Sequence, residues 1–517
     1  MPTLPDDLNH RVVLTVDLGT GGPKVGFVGL GGSILWSGFA PTDTTRGPGG
    51  RATQDADHWW RSIVRLTRAA LADGVVDPAR VVAIAVTGQW SSTVPADSEG
   101  HPVAPCRLWL DTSAAEHSRA LVGGPVVGYH PTRMPAWIRR TAGVPSPSGG
   151  DPVSHILGFT RDEPAAGGSA RWFLEPVDAL TMRFSGVASA SAASMCGAWL
   201  VDVRGDRTAY DPYLLTLAGI DGNRLPPLAE GLRVVGPIRP EVAAELGLPE
   251  SAVVVGGVPD VHSAHLGSGA VGPGAAHVTI STTSWISCEV AAKKTDPLHS
   301  IATVPGLRPG SYLVADNHEA AGASLAWLAR TFPGQDYDEL CAEAATSPVG
   351  SRGVIFTPWL AGMRSPVDDR SARALWHGMS LETSRADLVR ALLEGVAVQA
   401  AWLLGPVESF VGQRLDPVRI FGGGARSDLW CQIHADAMDR TLERVADPMN
   451  AQLRGAAFVA GLALGVLSWS DVAQLVPVDG VFRPQPAAVS VYAAARKALP
   501  RLHRATRPVR TPSSGRR

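Results

Sequence analysis

Hydrophobic positions along the 517-residue chain fall into short continuous runs separated by Gly, Ser and Thr turns. The runs VVLTVDLGT and VGFVGL, from Arg11 to Leu30, predict two strands around a turn GGPK, with Gly31-Gly32 closing the second. The segment from His58 to Leu71 has helical spacing, and VVAIAVTGQ, from Val81 to Gln89, predicts another buried strand. Pro and Gly gather from Gly143 to Pro152 and from Ala165 to Ser169, which predicts loops or lids. A second set of strands begins near Ala252: SAVVVGGVPD, then AAHVTISTTSW, then ISCEVAA. Apolar runs alternating with helical segments predict an α/β fold. The strand–turn–strand opening recurs after residue 250, which predicts two similar halves with a nucleotide between them, as in actin-like (ribonuclease H-like) domains.

Three turns carry candidate chemistry. The first is Asp17-Leu18-Gly19-Thr20-Gly21-Gly22-Pro23-Lys24. Glycines let backbone N–H groups approach phosphate oxygens, Thr20 adds a hydroxyl, and Lys24 adds a cation. Asp17, ending a buried strand, can hold magnesium through water, because magnesium prefers hard oxygen ligands and keeps several waters. The same residues also fit an ordinary hairpin with a capping Asp. The second turn is Val258-Pro259-Asp260-Val261-His262. Asp260 leaves a strand at the sheet edge where α/β proteins place ligands, and a carboxylate there can take the proton of an attacking hydroxyl. Alone, it also fits a helix N-cap. The third is Gly422-Gly423-Gly424-Ala425-Arg426-Ser427, which leaves flat backbone for a nucleobase or ribose without forming a dinucleotide fingerprint.

Taken together and in this order, these elements resemble the FGGY carbohydrate kinases, from about Val12 to about Gly465. ALWHGMSLETSRADLVRALLE, from Ala374 to Glu394, is similar to the family signature, and GGVPD resembles the strand end that carries its catalytic base. GGGARSDLW is similar to its adenosine motif, and QDADHWW, LWLDT, the Gly362 to Pro366 run and RGAAFVAGLALG also match. The resemblance implies two actin-like domains, residues 1–250 and 251–490, with the active site in the cleft between them. It implies ATP and Mg2+, a phosphate site built from Gly19, Thr20, Gly21 and Lys24, and a second phosphate turn at Thr282, Thr283 and Ser284. Adenosine would lie on Gly422, Gly423, Gly424, Ala425 and Ser427, the metal at Asp17 and Asp260, and the base would be Asp260. The expected sugar pocket consists of Gln89, Trp90, Ser91, Trp109 and Asp111, with His262. Trp109 and Asp111, two apart on an extended segment, would share one side of it.

Several positions depart from the family pattern. Trp90-Ser91-Ser92 stands where xylulose kinases carry Met-His-Gly, Ser113 where arginine is usual, Thr282 where glycine is usual, and His262 and His265 where small residues are usual. D-Xylulose is the expected substrate, with ribulose, glycerol, erythritol and gluconate as alternatives, and Trp90 would shorten the pocket. A pseudokinase is the reading from another class; the retained Asp17, Asp260 and glycine run oppose it.

Composition narrows the picture further. A formal net charge of −2 gives no basic stripe for nucleic acid. Five scattered cysteines form no C-x-x-C pair and fit a reducing compartment. The polar start MPTLPDDLNHRVV has no signal-peptide core, and no apolar run spans a membrane, so a cytoplasmic protein is expected, with a homodimer left open. Residues 496–517, rich in Arg, Pro and Ser, are expected to form a disordered basic tail.

Overall fold

In the computed structural model the described residues are 8–126, 128–141, 143–205, 208–296 and 299–507. Two sheets organise them. The first contains β1 (Val12–Gly19), β2 (Gly22–Gly29), β3 (Ile34–Phe39), β4 (Val81–Gly88), β5 (Val234–Pro237), β6 (Val253–Val255) and β7 (Val258–Pro259). Its order is β5-β6-β4-β1-β2-β3, with β7 also paired to β4. The second contains β8 (Ala276–Thr279), β9 (Ser284–Val290), β10 (Thr295–Asp296), β11 (Ile301–Pro305), β12 (Tyr312–His318), β13 (Val418–Phe421), β14 (Leu442–Val445) and β15 (Val478–Phe482). Its order is β10-β11-β12-β9-β8-β13-β14-β15.

The two sheets repeat one topology. In the first, β1, β2 and β3 form an antiparallel meander, and β4 and β6 continue in parallel on the other side of β1. In the second, β8, β9 and β12 form the meander, and β13 and β14 continue in parallel beyond β8. This is the duplicated α/β architecture that the sequence echo predicts.

The apolar runs are continuous because the sheets are covered on both faces. On β1, Val12, Leu14, Val16 and Leu18 feed a core shared with Trp59, Trp60 and Ile63 of helix Ala56–Ala72. Val13 points the other way, into a core with Leu453, Ala456 and Ala457 of helix Ala451–Ala463. That helix comes from the second half of the chain, so one core joins both halves. It crosses helix Asp260–Gly267 at two glycines: a Cβ on Gly267 would collide with the Ala451 carbonyl, and one on Gly455 with the Ser263 carbonyl.

Four details differ from the sequence reading. The division at residue 250 cuts the first sheet, because β6 and β7 both pair with β4; the apolar run marks the strand but not which sheet it joins. The GGPK turn is narrower than expected: β2 already starts at Gly22, so Lys24 lies in a strand opposite Asp17. The segment from Ala165 to Ser169 is helical, within Pro164–Ser169. The expected disordered tail begins inside helix Pro486–Thr506, which buries Tyr492, Leu499 and His503; residues 508–517 lie outside the described residues. Helix Arg385–Val411 is the one described helix long and apolar enough to cross a membrane, and it is mostly buried in the core of the second half.

Candidate active site

The β1–β2 turn is held from outside. Gln54 donates through Nε2 to the Thr20 carbonyl at 2.7 Å, and its own Oε1 accepts from Trp59 Nε1 at 3.1 Å. Gly22, at φ +131°, packs where a side chain would strike the Ala40 carbonyl, so only glycine can turn the chain there. Gly21 is exposed, and the Thr20 hydroxyl accepts from Trp109 Nε1 at 3.1 Å. Lys24 reaches across the cleft and donates to the Met449 carbonyl at 2.7 Å. It therefore tethers the two halves beside the site instead of standing free for phosphate.

Asp17 lies near the C-terminal end of β1 and Asp260 begins the helix that follows β7, and each is half-buried. Burial pushes the Asp17 carboxyl up to about 6, opposed by the positive Lys24. Burial pushes the Asp260 carboxyl up to about 7, and the neighbouring Asp17 charge adds to the rise. The Asp17 charge therefore favours the protonated form of Asp260. The capping reading of Asp260 is replaced: Pro259 holds the N-cap position, and Asp260 Oδ1 accepts the adjacent Val261 N–H at 2.8 Å. A pair of hard oxygen donors that repel one another fits a magnesium ion, which would relieve the repulsion.

Across the cleft, the turn between β8 and β9 lies at the same sheet edge as the glycine loop after β13. Thr282 is exposed and Thr283 half-exposed, while the Thr282 carbonyl is occupied by the amides of Ala321 and Ala323. Ser284 already lies inside β9 with its hydroxyl buried, so it does not line the cleft as expected. In the glycine loop, Gly423 is exposed, and a Cβ added there would meet nothing within 4 Å. Gly422, at φ +99°, and Gly424 instead permit close packing on Ile280. Ala425 is buried, its carbonyl accepting from Cys431 Sγ and Arg444 Nη1, each at 3.3 Å, and so packs the loop instead of facing a ligand. Ser427 caps helix Asp428–Met438 through the Trp430 N–H at 3.3 Å.

The sugar side begins at Gln89, whose backbone N–H donates to the Leu18 carbonyl at 2.7 Å. Its side-chain Nε2 is buried without a partner among the described residues, a donor left for a ligand. Trp90 donates through Nε1 to the Ser194 carbonyl at 2.6 Å, and Ser91 adopts φ +59°. Trp109 is half-exposed and spans from the Ser92 hydroxyl, bonded to its backbone N–H at 3.0 Å, to Thr20.

Two expected sugar contacts are corrected. Asp111 is fully buried: Oδ2 accepts from Ala52 N–H at 2.8 Å, and Oδ1 accepts from the Ser113 amide and hydroxyl at 2.9 and 2.5 Å. The chain bends between Trp109 and Asp111, with the Asp111 N–H bonded to the Leu108 carbonyl at 2.7 Å, so the two side chains do not share a face. His262 is fully buried and its Nε2 lies 2.7 Å from the Pro305 carbonyl. On a helix, two positions are about 200° apart, so His262 turns away from the side that carries Asp260. Gln54, within QDADHWW, also holds the site, as do Glu175 and Ser194, which no local motif marks.

The N-terminal domain of the FGGY family of carbohydrate kinases matches residues 12–267, and the family's C-terminal domain matches residues 279–464. A xylulose kinase of Staphylococcus epidermidis is 25% identical over 482 residues, covering 92% of each chain. A glycerol kinase of Dechloromonas aromatica is 28% identical, covering 93% of this chain and 95% of its own. The crystal structure of a xylulose kinase from Rhodospirillum rubrum superposes with a TM-score of 0.81 at 26% identity, covering 96% of this chain and 99% of that one.

Proposed function

Because the chain belongs to the FGGY family of carbohydrate kinases, phosphotransferases that act on an alcohol group with ATP as donor, we propose that it phosphorylates D-xylulose with Asp260 as general base. The observation that carries this reading is that Asp17 and Asp260 flank one strand end, Asp17 paired with Thr87 of β4 and Pro259 with the adjacent Gly88, so that the Asp17 charge raises the Asp260 carboxyl. The xylulose kinases among the relatives support the choice of sugar.

The reaction asks little covalent chemistry of the protein. The sugar lies among Gln89, Trp90, Ser91, Trp109 and Asp260, with indole faces against its C–H surface and the free Gln89 amide on a hydroxyl. ATP lies with adenosine against Gly423 and its phosphates towards Thr20, Gly21, Thr282 and Thr283. The sugar hydroxyl oxygen attacks the γ-phosphorus, the new O–P bond forms as the bond to ADP breaks, and the hydroxyl proton passes to Asp260. Only the ionised carboxylate can take that proton, and a group pushed up to about 7 is poised to do so near neutrality. Asp17 and Asp260 would hold magnesium, which when bound neutralises phosphate charge.

The test is a coupled ADP-release assay with D-xylulose beside ribulose, glycerol, erythritol and gluconate. Preferred turnover of D-xylulose is expected. Turnover confined to another member of the panel would replace the sugar and leave the base assignment standing, and no sugar-dependent ADP release at all would favour a pseudokinase.

A further inference from the structure

The turn that presents Trp90 and Ser91 depends on a residue far from it in sequence. Ser91, at φ +59°, occupies the left-handed region that residues other than glycine enter only when their surroundings hold them there. Next to it, the buried Ser92 donates its backbone N–H to Glu175 Oε2 at 3.1 Å. Glu175 is 1% exposed and stands at the N-cap position of helix Pro176–Ser185, yet makes no capping bond to that helix. Its carboxyl turns to the Ser91–Ser92 amides instead. The second oxygen, Oε1, is buried without a partner among the described residues. Burial pushes the Glu175 carboxyl well above its usual range; the Ser92 amide draws it back, and the nearby Asp178 adds to the rise.

The other flank of the turn leans on the same helix. Asp178, one helical turn after Glu175 and fully buried, lies beside Ser194 and Arg233. The Ser194 carbonyl receives the Trp90 indole N–H at 2.6 Å, and Ser194 is itself fixed in a capping box with Ser191. Gly197 presses on the same spot: a Cβ there would lie 2.7 Å from Ser91 Oγ and 3.1 Å from Trp90 Nε1. The turn is thus clamped from two sides while its own backbone is strained.

We propose that Glu175 is a positioning residue for sugar recognition, holding the strained Ser91–Ser92 backbone so that Trp90 and Ser91 face the sugar. This rests on the reading of Trp90 and Ser91 as sugar contacts. A neutral carboxyl and a carboxamide present the same acceptor to the Ser92 N–H, whereas a side chain of similar volume without an oxygen leaves that amide buried and unpaired. A shift of the turn by about 1 Å would misalign the groups that Trp90 and Ser91 present to the sugar.

The experiment compares Glu175→Met and Glu175→Gln with the parent, using D-xylulose and ATP as substrates and AMP-PNP titration calorimetry as the measure of an intact nucleotide half. Glu175→Met is expected to raise the KM for D-xylulose about tenfold while the KM for ATP stays within about twofold, and Glu175→Gln to stay within about threefold of the parent in both. An unchanged sugar KM in Glu175→Met, a parallel rise in both KM values, or a Glu175→Gln variant as impaired as Glu175→Met would each overturn the proposal. A double variant, Trp90→Met with Ser91→His, separates it from the reading beneath it. If the double variant leaves the ratio of kcat/KM between D-xylulose and ribulose unchanged, the pocket reading falls and the proposal with it. If the double variant shifts that ratio while Glu175→Met leaves the sugar KM alone, the proposal falls by itself.

Discussion

Replacing Asp260 with Asn should move activity and stability in opposite directions. The amide keeps the volume and can still accept the Val261 N–H, but it cannot take a proton from the sugar hydroxyl. Loss of a general base typically lowers the rate about 10²–10⁴-fold, or about 3–5 kcal/mol of barrier. Stability follows from the titration. The folded carboxyl, raised from 3.8 to about 7, binds its proton more tightly than the unfolded chain does. Its contribution to stability is therefore present below about pH 4 and is lost as pH rises through about 7. At pH 7.5 the folded protein carries a buried charge that also repels Asp17. A displacement of about three pKa units bounds the penalty at about 4 kcal/mol; partial exposure at the cleft and sharing of the shift with Asp17 bring it to about 1–2 kcal/mol. Asp260→Asn should therefore lose at least about a hundredfold in kcat while its Tm at pH 7.5 rises by a few degrees, and the gain should vanish near pH 4. Steady-state ADP release and thermal melts at the two pH values measure both. A variant that keeps more than a tenth of the parent kcat would refute Asp260 as base, and a Tm that falls at pH 7.5 would refute the electrostatic account of the pair.

Gly423→Val should raise the KM for ATP by about tenfold or more with little change in the sugar KM, since its side chain would enter open space on the adenosine side; equal damage to both constants in a folded protein would count against that role. Asp17→Ala should demand more magnesium for half-maximal rate, and removing its charge should shift the acid limb of the remaining activity to lower pH, because that charge helps to raise Asp260; an unmoved limb would place the two carboxylates out of contact. Gly455→Ala should destabilise the whole protein by about 2 kcal/mol or more in denaturant titrations, because the new methyl meets backbone at the helix crossing, whereas Gly465→Ala, with nothing near its Cβ, should be milder despite its positive φ.

The sequence carried the strands that matter most. The runs at β1, β2 and β4 are buried on both faces, and such strands read as unbroken apolar stretches; the repeat of strand–turn–strand anticipated the second sheet. Asp17, Asp260 and Gly423 were legible because each terminates or follows such a run. Asp111 and His262 were misplaced for a different reason. Which way a side chain points depends on the bend at Leu108 and on helical phase after Pro259, and neither follows from residue type. Glu175 was invisible because its partner lies 83 positions earlier and the bond goes to a backbone amide, which leaves no side-chain pattern to read. Ser284 and Ala425 belong to motifs that do reach the cleft, but alternation within a strand and packing under a turn take those two inward.

The sharing of helix Ala451–Ala463 between the halves has a consequence during synthesis. Val13, Val28, Ala83 and Ala85 on one face of the first sheet are covered by a segment that is translated roughly 190 residues after that sheet is finished at Pro259, a wait of about 10–40 s at usual elongation rates. Through that interval helix Asp260–Gly267 is available to that face, while the part that Ala451–Ala463 covers still lacks its own helix. The early half cannot reach its final state before the late half is made, so folding should complete only after nearly the whole polypeptide has emerged, and a chain released before Ala451 should leave the sheet open to aggregation.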